Sequence, residues 1–322
     1  MMHLVLKLSC LYVLILRTQT AIGAAVCVDE DGQDKQKDWV LAYKTGVPEN
    51  DQKVNSLTDT WEKTDLSGKD ANNLLHNVLE MAGNAANVAI VYNDHPPLTP
   101  KPPVTRSKSK GIFTHEPGKD AAFLVYTLPQ WPNMHKDKDG NIDDLAKNNK
   151  KNAMFLCLSV GIEAFSEWAK TVAYESPNIY FSNKMEDAQE EVANLVKGDV
   201  VTSPPTKQSS FKTSGATPTE FKMFALRSNM DLYSSFMTVA LATTLTMWNI
   251  NGTGADVVPK KITRAQDDSI WAFSQKNNWV CIGNSPRQKS QLSVPRGAVC
   301  LKNEKLHQLF KALATRKDNC PK

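Results

Sequence analysis

The amino-acid sequence predicts a mixed α/β protein made of two halves in one compact unit. Short apolar runs typical of buried strands alternate with segments of helical spacing. The same order of strand, helix and strand recurs on both sides of a Ser- and Pro-rich stretch. We therefore expect a first half at residues 25–200, a linker at 201–208 and a second half at 209–322.

The N-terminal segment, residues 1–24, has the pattern of a cleaved secretory signal. A short basic region with Lys7 precedes an apolar core at residues 8–16, and small residues follow up to Ala24. That core is too short to span a bilayer, and no later stretch is long and apolar enough to do so. The expected location is extracellular, with the lysosome as the alternative.

Strand predictions in the first half rest on apolar, β-branched and aromatic runs that end at turn residues. They cover residues 39–44, 88–92, 110–114, 121–128 and 153–160. Helix predictions rest on apolar residues at helical spacing. They cover residues 70–83, 163–172 and 185–196. The polar stretches 45–69 and 130–151 and the proline-rich stretch 95–103 are predicted to be loops.

The second half shows the same two patterns. Its predicted strands are residues 220–226, 244–248, 270–273, 279–282 and 298–301. Its predicted helices are residues 230–242 and 306–315.

Charge and cysteine content limit the class of protein. The formal net charge is +4, and loss of the signal leaves 36 basic and 34 acidic residues, which gives no strong general attraction for a polyanion. Cys10 leaves with the signal, and the odd number of cysteines that remain predicts disulfides with one thiol left over. No CxxC spacing or cluster of cysteine and histidine is present, so we expect no metal and no cofactor. Asn251 begins the single N-glycosylation sequon.

Several sequence blocks stand in the order found in one known family. They are Trp39–Lys44, the YNDHPP segment at residues 92–97, the KGI segment at 110–112, Phe155-Leu156-Cys157, the LVKG segment at 195–198, the DLYS segment at 231–234 and Trp279–Gly283. With these blocks the chain resembles the deoxyribonuclease II family along most of its mature length. The resemblance implies a fold of the phospholipase D type, in which two α/β halves pack around a pseudo-twofold axis.

The resemblance also implies a chemistry. Each half of the family fold supplies a His-x-Lys pair on a strand, and residues i and i+2 of a strand point to the same face. One histidine attacks phosphorus and forms a phosphohistidine, the other protonates the leaving oxygen, and the lysines neutralise phosphate charge without a metal.

This chain departs from the family pattern at the positions that matter. The first motif is Lys108-Ser109-Lys110-Gly111, so Lys108 stands in place of the histidine while Lys110 keeps the lysine. In the second motif Asp268 replaces the histidine and Ile270 replaces the lysine. A further family histidine, on the strand after the first motif, is Tyr126 here.

These replacements predict a loss of catalysis. A lysine with an ordinary pKa of about 10.4 has no lone pair at physiological or acid pH, and losing such a nucleophile costs on the order of a million-fold in rate. We expect no rescue by the other histidines of the mature chain, which are His76, His95, His115, His135 and His307. The alternative is an active, metal-independent acid endonuclease with an altered site.

Partners and cysteine pairs follow from the same resemblance. It pairs Cys27 with Cys157 and Cys281 with Cys300, and it leaves Cys320 free or joined to a second chain. The basic run of Lys101, Arg106, Lys108 and Lys110 either binds DNA or another polyanion weakly or is a solvated loop. An extracellular protein is the other partner that we expect, and no membrane is expected.

Overall fold

The computed structural model describes most of the chain between residues 26 and 314. The described ranges are residues 26–29, 36–66, 73–97, 107–135, 151–198, 201, 203–227, 229–248, 267–285 and 292–314. The predicted signal, the Asn251 sequon and Cys320 lie outside these ranges. No helix among the described residues is long and apolar enough to cross a membrane.

Residues of the first half form a two-stranded and an eight-stranded sheet. The strands are β1 (Cys27–Val28), β2 (Gln36–Lys37), β3 (Trp39–Lys44), β4 (Gln52–Asn55), β5 (Glu62–Lys63), β6 (Val88–Tyr92), β7 (Gly111–His115), β8 (Ala121–Tyr126), β9 (Ala153–Val160) and β10 (Ile179–Asn183). The large sheet has the order β10-β6-β7-β8-β9-β3-β4-β5, and neighbouring strands are antiparallel.

Residues of the second half form a six-stranded sheet. Its strands are β11 (Thr206–Lys212), β12 (Glu220–Leu226), β13 (Leu245–Trp248), β14 (Trp271–Ser274), β15 (Trp279–Gly283) and β16 (Arg296–Lys302). The order is β11-β12-β16-β15-β14-β13, again with antiparallel neighbours.

The helices are short, and three of the helical segments begin at a side-chain cap. They are α1 (Leu74–Gly83), α2 (Phe165–Tyr174), α3 (Glu190–Lys197), α4 (Thr238–Ala240) and α5 (Glu304–Leu313), with a π-helix at Leu232–Met237 and 3₁₀ turns at Pro48–Asn50, Ile162–Ala164 and Met185–Asp187. Asn73, Asp231 and Asn303 each accept hydrogen bonds from backbone N–H groups of the first turn that follows.

The central core joins both sheets. Inward side chains of the large sheet, such as Phe113, share one buried cluster with those of the smaller sheet, such as Phe273, and with α2, α3 and α5. Trp168 of α2 stacks on Phe113 with ring centroids 4.0 Å apart. Helix α1 covers the outer face of the large sheet, and the π-helix covers that of the smaller sheet. The predicted mixed α/β class is therefore confirmed.

The strand predictions agree with the structure to within a few residues at each strand end. Four of them have the predicted bounds, namely β3, β6, β9 and β12. The others shift by a few residues at their ends. Residues 230–242, predicted to be one helix, form a π-helix followed by a single α turn.

Polar strands were missed. The predicted linker at 201–208 is wrong in its last three residues, because β11 begins at Thr206. Here buried Ser209 and Phe211 alternate with exposed polar residues on an edge strand, so the segment has the composition of a loop. Strands β4 and β5 were missed for the same reason, since they are polar and lie at or next to a sheet edge. The edge strand β10 was missed as well, although its residues Ile179–Phe181 are apolar and aromatic.

The two predicted disulfides are confirmed. Cys27 is bonded to Cys157, which ties the N-terminal strand β1 to β9 across a sequence separation of 130. Cys281 is bonded to Cys300, its direct cross-strand neighbour on β15 and β16.

A buried carboxylate, Asp38, holds the two halves together. Its Oδ1 accepts a hydrogen bond from Thr213 Oγ1 at 3.0 Å. Its Oδ2 accepts from the backbone N–H of Thr217 at 3.0 Å and from Thr217 Oγ1 at 2.7 Å. Asp38 is only 4% exposed and Thr213 only 2% exposed, so loss of the carboxylate leaves the buried Thr213 hydroxyl without its acceptor.

We expect Asp38→Ala to lower the free energy of unfolding by about 3 kcal/mol, because three hydrogen bonds to one buried carboxylate are lost. The matched control is Asp59→Ala, which removes an ion pair with Lys305 whose carboxylate side chain is 61% exposed, and should cost under about 1 kcal/mol. Urea unfolding of both variants measures the difference. Equal urea midpoints for the two variants would contradict the role of Asp38 in holding the two halves together.

Candidate active site

The first motif lies in an extended segment that runs into β7 and touches the second half. The backbone N–H of Lys108 donates to the carbonyl of Pro295 at 3.2 Å. Lys108 and Lys110 both pair with Asp94, whereas Ser107 and Ser109 hydrogen-bond to each other on the other side of the segment. The i, i+2 spacing therefore places the two lysines on one face, as the sequence predicted.

One carboxylate is shared by the two lysines. Lys110 Nζ lies 2.9 Å from Asp94 Oδ1, and Lys108 Nζ lies 3.5 Å from Asp94 Oδ2. Lys110 Nζ also donates to the carbonyl of Lys108 at 3.2 Å. The side chain of Lys110 is 7% exposed and that of Lys108 is 25% exposed. Of the two, only Lys108 presents much of its side chain to solvent.

Tyr126 has a structural role in this site. Its hydroxyl donates to the carbonyl of Trp131 at 2.8 Å, and Asn93 Nδ2 donates to the same carbonyl at 2.7 Å. The tyrosine is fully buried, and burial raises the pKa of its hydroxyl far above the usual value. Tyr126 thus fixes the loop after β8 and stays neutral.

The second motif lies in the second half and contacts the residue before β9 in the first half. We call the region where the two halves meet, which includes the Lys108–Pro295 and Asp268–Asn152 contacts, the seam. Asp267 forms an isolated parallel bridge with Asn152, and the backbone N–H of Asp268 donates to the carbonyl of Asn152 at 2.9 Å. Asp268 Oδ1 lies 3.7 Å from Lys151 Nζ. Ile270 is 3% exposed and belongs to the apolar cluster under the π-helix.

The two motifs are not joined by direct contacts. Among the described residues, no hydrogen bond or ion pair connects Lys108 or Lys110 with Asp268. Each motif instead contacts the backbone of the opposite half, the first at Pro295 and the second at Asn152. Both segments therefore lie along the seam between the halves, and a shared cleft stays a prediction.

Three of the five described histidines make side-chain contacts with groups other than Lys108 and Lys110. His115 ends β7, packs on Phe113 and Phe165, and has a pKa lowered by burial. His307 Nε2 lies 2.6 Å from the carbonyl of Ser274. The ring of His95, which directly follows Asp94, lies 3.0 Å from Gln130 Nε2. His76 is half-buried on α1, and His135 is exposed.

The basic run is only partly described. Lys101 and Arg106 lie outside the described residues, and the two lysines that are described share Asp94. Within the described ranges, no group of three or more His, Cys, Asp or Glu side chains is arranged to hold a metal ion.

Sequence reasoning missed the polar cluster beneath the first motif. Glu175, at the end of α2, accepts hydrogen bonds from Ser109 of the motif and from Asn284 of the second half. A glutamate at the end of a helix gives no signal of burial, so only the packing of the halves reveals it. The role of Asp94 was missed too, although its segment was recognised.

Comparisons with known proteins agree on one family. The family model described as Deoxyribonuclease II matches residues 26–320. Plancitoxin-1 of Acanthaster planci is 27% identical, with 91% of this chain and 92% of the relative covered. Deoxyribonuclease-2-alpha of Bos taurus is 24% identical over 94% of this chain and 92% of its own length. Cell-death-related nuclease 7 of Caenorhabditis elegans is 25% identical over 74% of this chain and 71% of its own length.

We expect Asp94→Asn to lower the free energy of unfolding by about 3 kcal/mol, because it leaves the buried ammonium of Lys110 without its carboxylate. The double variant Asp94→Asn, Lys110→Met should recover part of this loss. The control is Glu116→Gln, whose ion pair with Lys119 is more than half exposed. A double-mutant cycle by urea unfolding measures the coupling, and strictly additive effects would contradict it.

Proposed function

Because the chain belongs to the deoxyribonuclease II family, we propose that it is a secreted, glycosylated member that keeps the family scaffold and has lost the chemistry that cleaves DNA. It acts by binding, either to nucleic acid or to an extracellular protein. The observation that carries this proposal is the ion pairing at the position of the attacking histidine, where Lys108 and Lys110 share Asp94.

The first motif lacks a group that can attack phosphorus. An ammonium in an ion pair has no lone pair for attack on phosphorus, and neither Tyr126 nor Asp268 can supply an imidazole. Tyr126 is buried and uses its hydroxyl on the Trp131 carbonyl. The retained Lys110 can still neutralise phosphate charge, but a stabiliser without a nucleophile does not start the reaction.

The second half lacks the matching acid and its lysine. Asp268 carries a carboxyl group in place of the family's second histidine, and its Oδ1 lies 3.7 Å from Lys151 Nζ. Ile270 is buried and apolar, so it brings no charge to a phosphate oxygen. Both halves of the acid and base pair are therefore missing.

Residual binding to a polyanion is expected to be weak. Two lysines and one aspartate leave a single positive charge at the first motif. With one or two phosphate contacts, the logarithm of the binding constant falls with the logarithm of the salt concentration with a slope of about −1 to −2. Secretion, glycosylation at Asn251 and a dimer joined through Cys320 belong to the same proposal, with the lysosome as the alternative location.

The second candidate is an active, metal-independent acid endodeoxyribonuclease with an altered site. It is favoured by the length of the match, since relatives whose names call them deoxyribonucleases or nucleases align over most of this chain. It requires a nucleophile other than the family histidines, and none of the described histidines pairs with the lysines of the first motif.

The proposal predicts almost no nicking of supercoiled plasmid by the purified protein at acid pH. We expect a rate lower than that of the Bos taurus enzyme by on the order of a million-fold, because the nucleophile is missing. Any residual nicking should be the same in wild type and in Lys110→Ala, with Lys119→Ala as the surface control. Robust nicking that disappears in Lys110→Ala and persists in Lys119→Ala would establish the second candidate instead.

Weak polyanion binding has its own test. Fluorescence anisotropy with a short labelled DNA is measured at several salt concentrations. We expect log K to fall with log salt with a slope of about −1 to −2. The slope should be smaller in magnitude by about 1 in Lys108→Ala and unchanged in Lys119→Ala. Absence of any binding at low salt would assign the function to a protein partner.

A further inference from the structure

A buried carboxyl group joins three segments at the seam between the halves. Glu175 Oε2 accepts a hydrogen bond from Ser109 Oγ and another from Asn284 Nδ2 at 2.9 Å. Ser109 lies between the two lysines of the first motif, and Asn284 follows β15 of the second half. Asn284 Oδ1 in turn accepts from the backbone N–H of Gly297 at 2.9 Å. Glu175 thus links α2, the first motif and the smaller sheet.

No ion pair to Glu175 is present within the described ranges of the chain. Glu175 is 4% exposed, and among the described residues no Lys, Arg or His side chain pairs with it. Lys108 and Lys110 pair with Asp94 instead, and the Arg296 guanidinium binds the carbonyls of Leu292 and Val294. Burying an ionised carboxylate without a counter-charge is costly.

The described partners of Glu175 are neutral groups, namely the Ser109 hydroxyl and the Asn284 amide. The Tyr92 hydroxyl also lies near it, and burial together with the charge of Glu175 raises the pKa of Tyr92 well above its usual value. From β16, a side-chain carbon added at Gly297 would collide with Glu175 Oε1, so the carboxyl packs directly on that backbone. Burial raises the pKa of Glu175 to about 7, although its two hydrogen bonds oppose the change.

We propose that Glu175 is a proton-dependent latch between the two halves, closed when its carboxyl is protonated and loosened when it ionises. The proposal does not depend on whether the protein cleaves DNA. The closed latch makes the seam, along which both motifs lie, open less often in an acid compartment than in neutral fluid.

The direction follows from linkage. The pKa of Glu175 is raised in the folded protein, so the native state holds the proton to a higher pH than an opened or unfolded state does. Its contribution to stability is complete below about pH 4.5, is lost as the pH rises towards 7, and is constant above that. The equilibrium for opening should therefore rise about 100-fold between pH 4.5 and 8.

A second carboxyl titrates in the same range and serves as the control. Burial raises the pKa of Asp51 to about 6, and its partners are the backbone N–H groups of Thr45 and Leu66 in the first half. The pH dependence of global unfolding therefore contains contributions from both Glu175 and Asp51. Hydrogen-exchange protection of individual amides at the seam separates the two contributions.

The experiment measures amide hydrogen exchange of the whole protein between pH 4.5 and 8, corrected for intrinsic rates. We expect protection of the Ser109 and Gly297 amides, which are bonded to Ser107 Oγ and Asn284 Oδ1, to fall about 100-fold in wild type and in Asp51→Asn. In Glu175→Gln the fall should be less than about threefold. The latch would be overturned if amide protection fell equally with pH in Glu175→Gln and in wild type. It would also be overturned if the fall disappeared in Asp51→Asn and persisted in Glu175→Gln.

A second variant keeps the test decisive if Glu175→Gln does not fold. The bond from Ser109 favours the ionised form of Glu175, so Ser109→Ala should raise the pH at which protection of the Gly297 amide is half lost. An unchanged or lower midpoint in Ser109→Ala would also overturn the proposal.

Discussion

The carboxylate of Asp94 sets the electrostatics of the candidate site, because two lysine ammonium groups share it within 3.5 Å. It allows Lys110 to be almost fully buried, and it holds Lys108, which stands at the position that the sequence resemblance assigns to a histidine. The pair therefore stabilises the first motif and at the same time withholds a free amine from any substrate. The proposed loss of catalysis and the proposed weakness of polyanion binding both follow from this neutralisation.

Around that site the scaffold is preserved by contacts between the two halves. Asp38 and Glu175 are both buried carboxyl groups that bind polar groups across the seam, but they differ in what surrounds them. Asp38 accepts three hydrogen bonds from two threonines. Glu175 accepts two from Ser109 and Asn284 and packs on a glycine backbone. The first is suited to a permanent clamp, and the second to a contact that responds to protons.

Much of the fold was predictable where burial imposes a simple pattern. Strands β3, β6, β9 and β12 are apolar because the sheets are covered on both faces, so their bounds follow from composition. Strand β11 was not predictable, because an edge strand with alternating Ser, Gln and Lys has the composition of a loop. Likewise, the π-helix at Leu232–Met237 has the same apolar residues as an ordinary helix, so only its hydrogen bonds distinguish it.

The sequence by itself determined the mixed α/β class and the resemblance to one family, and that resemblance implied the two disulfides and the residues at the predicted catalytic positions. These depend on residue identity and order along the chain. Tertiary structure decided which charges meet, since Lys108 finds Asp94 and Ser109 finds Glu175 only after distant segments pack. Burial and ion pairing are properties of the assembled seam, and for that reason no local pattern could reveal them.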